Sequence, residues 1–140
     1  MVGTLGSFLD GGVLNNNPVD SAFLEAKTLF PGERINLIVS IGTGLPKKNS
    51  KGVGSLSSLV NMLAAAATAS EQLHGRFRRQ LRAANSTVHY YRLNHLLSED
   101  IPLDFTGDLF EELESLRKYL EEGEGSVTLG GIAQIIESGN

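Results

Sequence analysis

The 140-residue chain contains no cysteine, and it has no apolar run of the roughly 18 residues that a membrane-spanning helix requires. The absence of cysteine excludes disulfide bonds and thiol catalysis, and it is consistent with an intracellular setting. Apolar residues make up 41% of the chain, which is enough for the core of one modest domain. We therefore expect a globular intracellular protein, either cytoplasmic or bound peripherally to a membrane.

The sequence also argues against metal, nucleotide and nucleic-acid binding sites. The three histidines, His74, His89 and His95, show no metal-ligand spacing, so no metal site is expected. The turn Gly42-Thr43-Gly44 lacks the third glycine of a dinucleotide motif, and no Gly-Lys-Ser/Thr follows it, which argues against a nucleotide cofactor. Basic and aromatic residues do not alternate along the chain, and this argues against nucleic-acid binding.

The net charge of −4 is unevenly distributed. Residues 1–95 carry 10 basic and 5 acidic side chains, a net charge of +5, whereas residues 96–140 carry 2 basic and 11 acidic ones, a net charge of −9. The first part is therefore suited to anionic phospholipid headgroups, and the second is not. Four arginines of one predicted helix are candidates for a peripheral membrane contact, although a solvated helix face is the alternative interpretation: Arg76, Arg78, Arg79 and Arg82.

Residues 8–18 hold the acidic residue that is best placed for chemistry. An apolar stretch ends at Asp10, and Gly11 and Gly12 follow, where the backbone can take positive φ and lie close to a neighbour. Three asparagines then favour a turn, and Asn17 is predicted to cap a helix whose first residue is the next one, a proline. The pattern predicts that Asp10 lies at the mouth of a sheet, where it is the candidate catalytic residue.

The residues that follow predict a β-α-β unit. Five apolar residues recur near the helical period and define the face expected to enter the core: Ala22, Phe23, Ala26, Leu29 and Phe30. The almost wholly apolar residues 35–41 predict a strand buried on both faces of a parallel sheet. Because loops after parallel strands form the site in this architecture, we expect Gly42 and Gly44 to support the same site as Asp10.

Four further elements are predicted downstream. A long helix covers about residues 55–83, a strand covers residues 87–93, and a second helix covers residues 109–120. This second helix is expected to bury one apolar stripe: Leu109, Leu113, Leu116 and Leu120. Gly123 and Gly125 are predicted to end that helix, and residues 129–136 are predicted to form a last short one.

Three segments together resemble the patatin-like phospholipase family: Asp10-Gly11-Gly12, Asn16-Asn17-Pro18 and Ser40-Ile41-Gly42-Thr43-Gly44. Two more, Tyr91-Arg92-Leu93-Asn94 and Ile101-Pro102-Leu103-Asp104, are similar to its calcium-independent phospholipase A2 gamma branch, as is the acidic helix after them. The resemblance covers about residues 7–122. It implies an α/β fold, part of a three-layer α/β/α sandwich with a mainly parallel central sheet. Residues 1–122 would be the C-terminal half of that domain and residues 123–140 a tail.

The resemblance also implies a reaction, the calcium-independent hydrolysis of acyl esters in glycerophospholipids or other acyl lipids by a Ser-Asp dyad without a cofactor. Asp10 matches the family's proton acceptor, and Gly11, Gly12 and residues 16–18 match the turns that support it. The family's serine lies in a Gly-x-Ser-x-Gly motif, which this sequence does not contain. We therefore expect the N-terminal half of the domain, with nucleophile and oxyanion hole, to be missing and the chain alone to be inactive.

Two other interpretations remain open. The chain would also fit half of an α/β-hydrolase with a Ser-Asp-His triad, in which Asp10 is followed by His74, His89 or His95. Alternatively, it is a non-catalytic truncated fragment, or a module that binds lipid or a partner. An upstream Gly-x-Ser-x-Gly motif would favour either hydrolase over the non-catalytic interpretation. Replacement of each histidine in turn would separate the Ser-Asp dyad from the Ser-Asp-His triad.

Overall fold

The computed structural model describes residues 15–45, 57–97 and 106–139, and for residues 57–64 it describes the backbone alone. The elements follow in the order α1 (Val19–Leu29), β1 (Leu37–Ile41), α2 (Ser57–Ala83), β2 (His89–Leu93), α3 (Phe110–Glu121) and α4 (Glu124–Ser138). The predicted strand before Asp10, the Asp10-Gly11-Gly12 turn and residues 101–104 lie outside these ranges. The described part is a small α/β unit with four helices and one two-stranded sheet.

The two strands pair in parallel, with Leu37 opposite His89 and Ile41 opposite Leu93. A parallel bridge between Leu45 and Leu96 continues the pairing beyond the strands. The connection between the strands runs through α2, as parallel neighbours require a long crossover. This arrangement confirms the predicted α/β class and brings the C-terminal ends of both strands to one edge.

The buried core lies between one face of the sheet and helices α1 and α2. Val19, Phe77 and Leu81 form its centre, and Phe23 and Tyr90 pack against them. The Phe77 ring makes edge-to-face contacts with both aromatic rings, with centroids 5.5 Å from Phe23 and 5.0 Å from Tyr90. These contacts fix α1 and α2 on the same side of the sheet.

Helix α4 packs against the other face of β2 and against α3. Because side chains alternate along a strand, Tyr91 points away from the α2 side, and it meets α4 at Gly131. A Cβ atom at Gly131 would lie only 2.8 Å from the Tyr91 hydroxyl oxygen. Glycine at this position therefore allows α4 to approach β2 closely.

The predicted division of the chain at residue 122 stays a prediction.

The predicted burial of β1 on both faces is wrong. Val39 is 39% exposed and Ile41 is 77% exposed, on the face where α4 packs against β2. Three other predicted core residues, Ala22, Leu29 and Phe30, are also exposed. Phe30 is the C-cap of α1, and its non-helical backbone turns it out of the line that carries Phe23 into the core.

Helix α1 begins differently from the prediction. Pro18 is the N-cap rather than the first helical residue, and no side chain caps the helix. The Pro18 carbonyl accepts the first helical hydrogen bond from Ala22 N at 2.8 Å. Asn17 therefore does not cap α1, and its side chain makes tertiary contacts instead.

Helices α3 and α4 meet at Gly123, which is the N-cap of α4. The predicted break of the helix at this glycine is therefore confirmed. Helix α4 begins at Glu124 and is longer than predicted, because Gly125 lies in its first turn and packs against Tyr119. The predicted burial of the α3 leucines is wrong. Leu109, Leu113 and Leu116 are exposed, since α3 turns its other face towards the sheet.

Candidate functional site

A narrow cleft of about 30 Å³ lies at the edge of the sheet where both strands end. Asn16, Gly42 and Gly44 line it together with Arg92 and Asn94. Three of the residues predicted to support Asp10 therefore meet at one place, although they come from two separate turns. Asp10, Gly11 and Gly12 themselves lie outside the described residues. A cleft of this size has room for a water molecule but not for an acyl chain.

Asn17 is buried behind this cleft and joins three elements. Its amide nitrogen donates a hydrogen bond to the Ser70 carbonyl of α2 at 3.3 Å. Its amide oxygen accepts one from the Ser40 hydroxyl of β1, also at 3.3 Å. Because both partners are distant in sequence, Asn17 ties the turn before α1 to the sheet and to α2.

The Gly42-Thr43-Gly44 turn is shaped by Asn94 and by Leu97, which packs where a Cβ atom of Gly44 would lie. A side chain at Gly42 would collide with the Asn94 amide, and Gly44 has a φ of +105°, which side-chain-bearing residues rarely adopt. The Gly42 amide donates to the Leu93 carbonyl at 2.8 Å, and the Gly44 amide donates to Asn94 Oδ1 at 3.0 Å. Both glycine amides are thus already engaged, which does not suit them to hold a phosphate.

Arg92 is the centre of the polar network at this edge, and it is not among the site residues predicted from the sequence. Its side chain is only 6% exposed. Its guanidinium donates to Glu71 Oε1 at 2.9 Å, to the Ser40 hydroxyl at 2.7 Å and to the Ser70 hydroxyl at 2.9 Å. The sequence feature that could have identified Arg92 is that it is the single cationic residue at the inner positions of the strand His89–Leu93, where the other residues are aromatic or apolar.

Glu71 extends the network to the glycine turn. Its Oε1 atom accepts a second hydrogen bond from the Asn94 amide nitrogen at 2.8 Å, while Asn94 Oδ1 holds Gly44. A continuous set of hydrogen bonds therefore runs from Asn17 through Ser40 and Arg92 to Glu71, Asn94 and Gly44. The arrangement fixes the relative positions of the two turns that border the cleft.

The serines of this network are not arranged as nucleophiles. The Ser40 hydroxyl donates to an amide oxygen and accepts from the Arg92 guanidinium, and the Ser70 hydroxyl accepts from the same group. Neither an amide nor a guanidinium acts as a general base, which an attacking hydroxyl needs beside it. These contacts support a positioning role for both serines.

His74 and Tyr90 form a second contact below the network. His74 Nδ1 lies 3.0 Å from the Tyr90 hydroxyl. Burial lowers the pKa of His74, and the nearby Arg92 and Arg78 act in the same direction, whereas Glu71 opposes it. Burial likewise raises the pKa of Tyr90. Both groups are therefore held in their neutral forms near pH 7.

The other histidines do not form a catalytic triad with their described neighbours. His89 is exposed at the start of β2, at the opposite end of the strand from the cleft. His95 Nε2 lies 3.1 Å from Glu112 Oε1 and 3.2 Å from the Ser115 hydroxyl. In a Ser-His-acid triad the serine and the carboxylate occupy opposite ring nitrogens, whereas here both approach the same one.

The four arginines proposed for membrane contact lie away from the cleft. They follow Ser70 and Glu71 along α2 by 5 to 12 positions, which corresponds to about 8–18 Å of helix. Arg76 is paired with Asp20 of α1 at 2.7 Å. Arg78, Arg79 and Arg82 are exposed. The contact of these residues with a membrane stays a prediction.

Two further properties apply to the ranges 15–45, 57–97 and 106–139. None of the helices described there combines the length and the apolar content of a membrane span. Within the same ranges, no group of three or more histidine, aspartate or glutamate side chains is placed to hold a metal ion.

Comparison with known proteins gives one consistent result. The chain is 34% identical over 129 residues to calcium-independent phospholipase A2-gamma of Mus musculus, a match that covers 86% of this chain and 16% of the relative. It is also 34% identical over 122 residues to the Homo sapiens and Rattus norvegicus proteins of the same name, covering 82% of this chain and 15% of each. The chain thus spans about one sixth of its curated relatives. No protein-family model and no solved structure matches it.

Proposed function

Because the chain is related to calcium-independent phospholipase A2-gamma over most of its own length, we propose that it carries the general-base part of a patatin-like lipid acyl hydrolase. Asp10 would take the proton of a serine that lies outside these 140 residues. The substrate would be an acyl ester of a glycerophospholipid or of a related acyl lipid. The observation that carries this proposal is the 34% identity to proteins that bear the phospholipase name.

The geometry of the cleft supports this role for Asp10. Asn16 lines the cleft and follows Asp10 by six residues. Six residues of fully extended chain span at most about 22 Å, so Asp10 lies within that distance of Asn16. Gly42 and Gly44 line the same cleft at the C-terminal ends of parallel strands, which is where α/β folds bind their ligands. The hydrogen bonds of Arg92 and Asn94 would keep the walls of the cleft fixed during the reaction.

An aspartate is a weak base in water, so its surroundings have to strengthen it. A short hydrogen bond to the serine hydroxyl, in a site that excludes water, would make the proton transfer effective. The serine oxygen would attack the acyl carbonyl and form an acyl-enzyme, which water then hydrolyses. Backbone amides outside this chain would stabilise the oxyanion. None of these steps requires calcium.

The packing of the helices supports a larger sandwich. Helices α1 and α2 cover one face of the sheet, and α4 packs against the other face at Tyr91. We propose that further strands extend this sheet in the complete domain to give a three-layer α/β/α sandwich. An intracellular location, peripheral membrane contact and the lack of a cofactor remain predictions from the sequence.

A chimera tests the proposed function. The aligned segment of the mouse relative is replaced by this chain, so that the relative supplies its own upstream sequence. We expect the chimera to release fatty acid from phosphatidylcholine in the presence of a calcium chelator, and the 140-residue chain alone to release none. A folded chimera without activity would contradict the hydrolase role and would favour a module that only binds lipid or a partner.

A further inference from the structure

Helix α3 presents its apolar side to solvent and its polar side to the protein. Leu109 is 40% exposed, Phe110 67%, Leu113 60% and Leu116 36%, and these residues define what we call the outward stripe. The leucines of the outward stripe are spaced by four and three residues, so they share one helix face. This orientation is the reverse of the usual one, in which the apolar face of a surface helix enters the core.

Specific contacts hold α3 in this orientation. Glu112 and Ser115 both approach His95 Nε2, which follows β2, at 3.1 and 3.2 Å. Tyr119, one turn further, packs against the His95 ring, with centroids 5.3 Å apart, and against Gly125 of α4. Three inward residues at successive turns therefore anchor the polar face. The exposure of the outward stripe follows from these contacts.

The helix lies beside the candidate site. Ser115 and Tyr119 line a shallow cavity of about 480 Å³ together with Leu45, Asn94 and His95. Asn94 also lines the narrow cleft between the two turns. The outward stripe is thus carried by a helix at the same edge of the sheet as the cleft.

We propose that the outward stripe is the surface through which this protein rests on a lipid bilayer of low net charge. The proposal rests on the proposed function, since a hydrolase of membrane lipids has to bring its site to the lipid surface. An apolar helix face beside the site would insert between headgroups without any specific partner.

The charges around α3 decide which lipid surface fits. Arg117 is engaged by Glu114 at 3.1 Å and by Glu121 at 3.8 Å, and residues 96–140 carry a net charge of −9. An anionic bilayer would repel this region, whereas a zwitterionic one would not. A second copy of the chain is a poorer fit, because four partly exposed side chains do not provide the roughly 800 Å² per partner of a standard interface.

Vesicle sedimentation with the 140-residue chain tests the proposal. One variant combines Phe110→Gln with Leu113→Gln. Its matched control combines Leu24→Gln with Phe30→Gln, a leucine and a phenylalanine of similar exposure on α1. The vesicles consist of phosphatidylcholine alone or of phosphatidylcholine mixed with phosphatidylserine, at low and high salt. Circular dichroism verifies that each variant keeps its helices.

We expect the native chain to bind phosphatidylcholine vesicles and to bind them equally well in high salt, because apolar contacts are not screened. The outward-stripe variant should lose about 10- to 100-fold in partition coefficient, and the α1 control should not change. Binding that is equal in both variants, or absent for the native chain, would overturn the proposal.

Two further results would also overturn it. Binding that requires phosphatidylserine and is lost in an Arg78→Gln, Arg79→Gln double variant would assign the contact to the α2 arginines. A dimer in sedimentation velocity that disappears in the outward-stripe variant would assign the surface to a second copy. Because no step measures hydrolysis, an inactive chimera that still binds vesicles would refute only the proposed function.

Discussion

Replacement of Arg92 by methionine removes the guanidinium that joins β2 to Ser40, Ser70 and Glu71. Removal of one partner of a fully buried ion pair costs roughly 3–5 kcal/mol, because the other charge is left without compensation. The Glu71 side chain is 35% exposed and would recover part of its hydration. The Ser40 and Ser70 hydroxyls also lose the hydrogen bond that they accept from the guanidinium. We therefore expect the free energy of unfolding to fall by roughly 2–4 kcal/mol.

Urea unfolding followed by circular dichroism measures this loss, and Arg76→Met is the matched control. Arg76 forms a similarly short ion pair with Asp20, but its side chain is 59% exposed, so its removal should cost about 1 kcal/mol or less. Equal losses in the two variants would refute the argument that burial and the shared hydrogen bonds make Arg92 the centre of the network.

Three further predictions concern packing, pH and activity. Gly130→Ala should stabilise the chain by about 0.5–1 kcal/mol in urea unfolding, because nothing lies near its Cβ position, whereas Gly131→Ala should destabilise it through contact with Tyr91. Stability should fall as the pH drops below about 6.5, because burial lowers the pKa of His74 in the folded state and the unfolded chain therefore binds the proton first. His74→Gln should flatten this slope in thermal melts from pH 7 to pH 5. Fatty-acid release by the purified 140-residue chain should stay at the level of a blank.

The features that sequence alone predicted well are those with a local cause. The helical spacing of apolar residues before Pro31-Gly32 predicted α1, and the continuous apolar run before Gly42 predicted β1 in a parallel sheet. The spacing of the glycines also pointed to the turn that now borders the cleft. In each of these cases, neighbouring residues in the chain are sufficient to specify the conformation.

The features that were predicted wrongly depend on partners distant in sequence. Asn17 was expected to cap α1, but Ser40 and Ser70 compete for its amide from 23 and 53 positions away. The importance of Arg92 likewise appears only when α2 lies across β2. Sequence patterns could not show such contacts, because they depend on which elements become neighbours.

Helix α3 illustrates a different limit. Its apolar period correctly predicted a helix within one residue at each end, but a period does not state which face turns inward. His95 decides the orientation by engaging Glu112 and Ser115. A period-based assignment assumes that apolar residues are buried, and that assumption fails where polar contacts set the orientation.

The turnover of an Asp10→Asn variant of the chimera tests the central claim most directly. Asp20→Asn is its control, since Asp20 pairs with Arg76 on α1 and has no proposed part in the reaction. The account predicts that Asp10→Asn lowers the rate of phosphatidylcholine hydrolysis by about 10²–10⁴-fold without a change in melting temperature, and that Asp20→Asn retains the rate. A rate near that of the unsubstituted chimera for a folded Asp10→Asn variant would contradict the assignment of Asp10 as the general base.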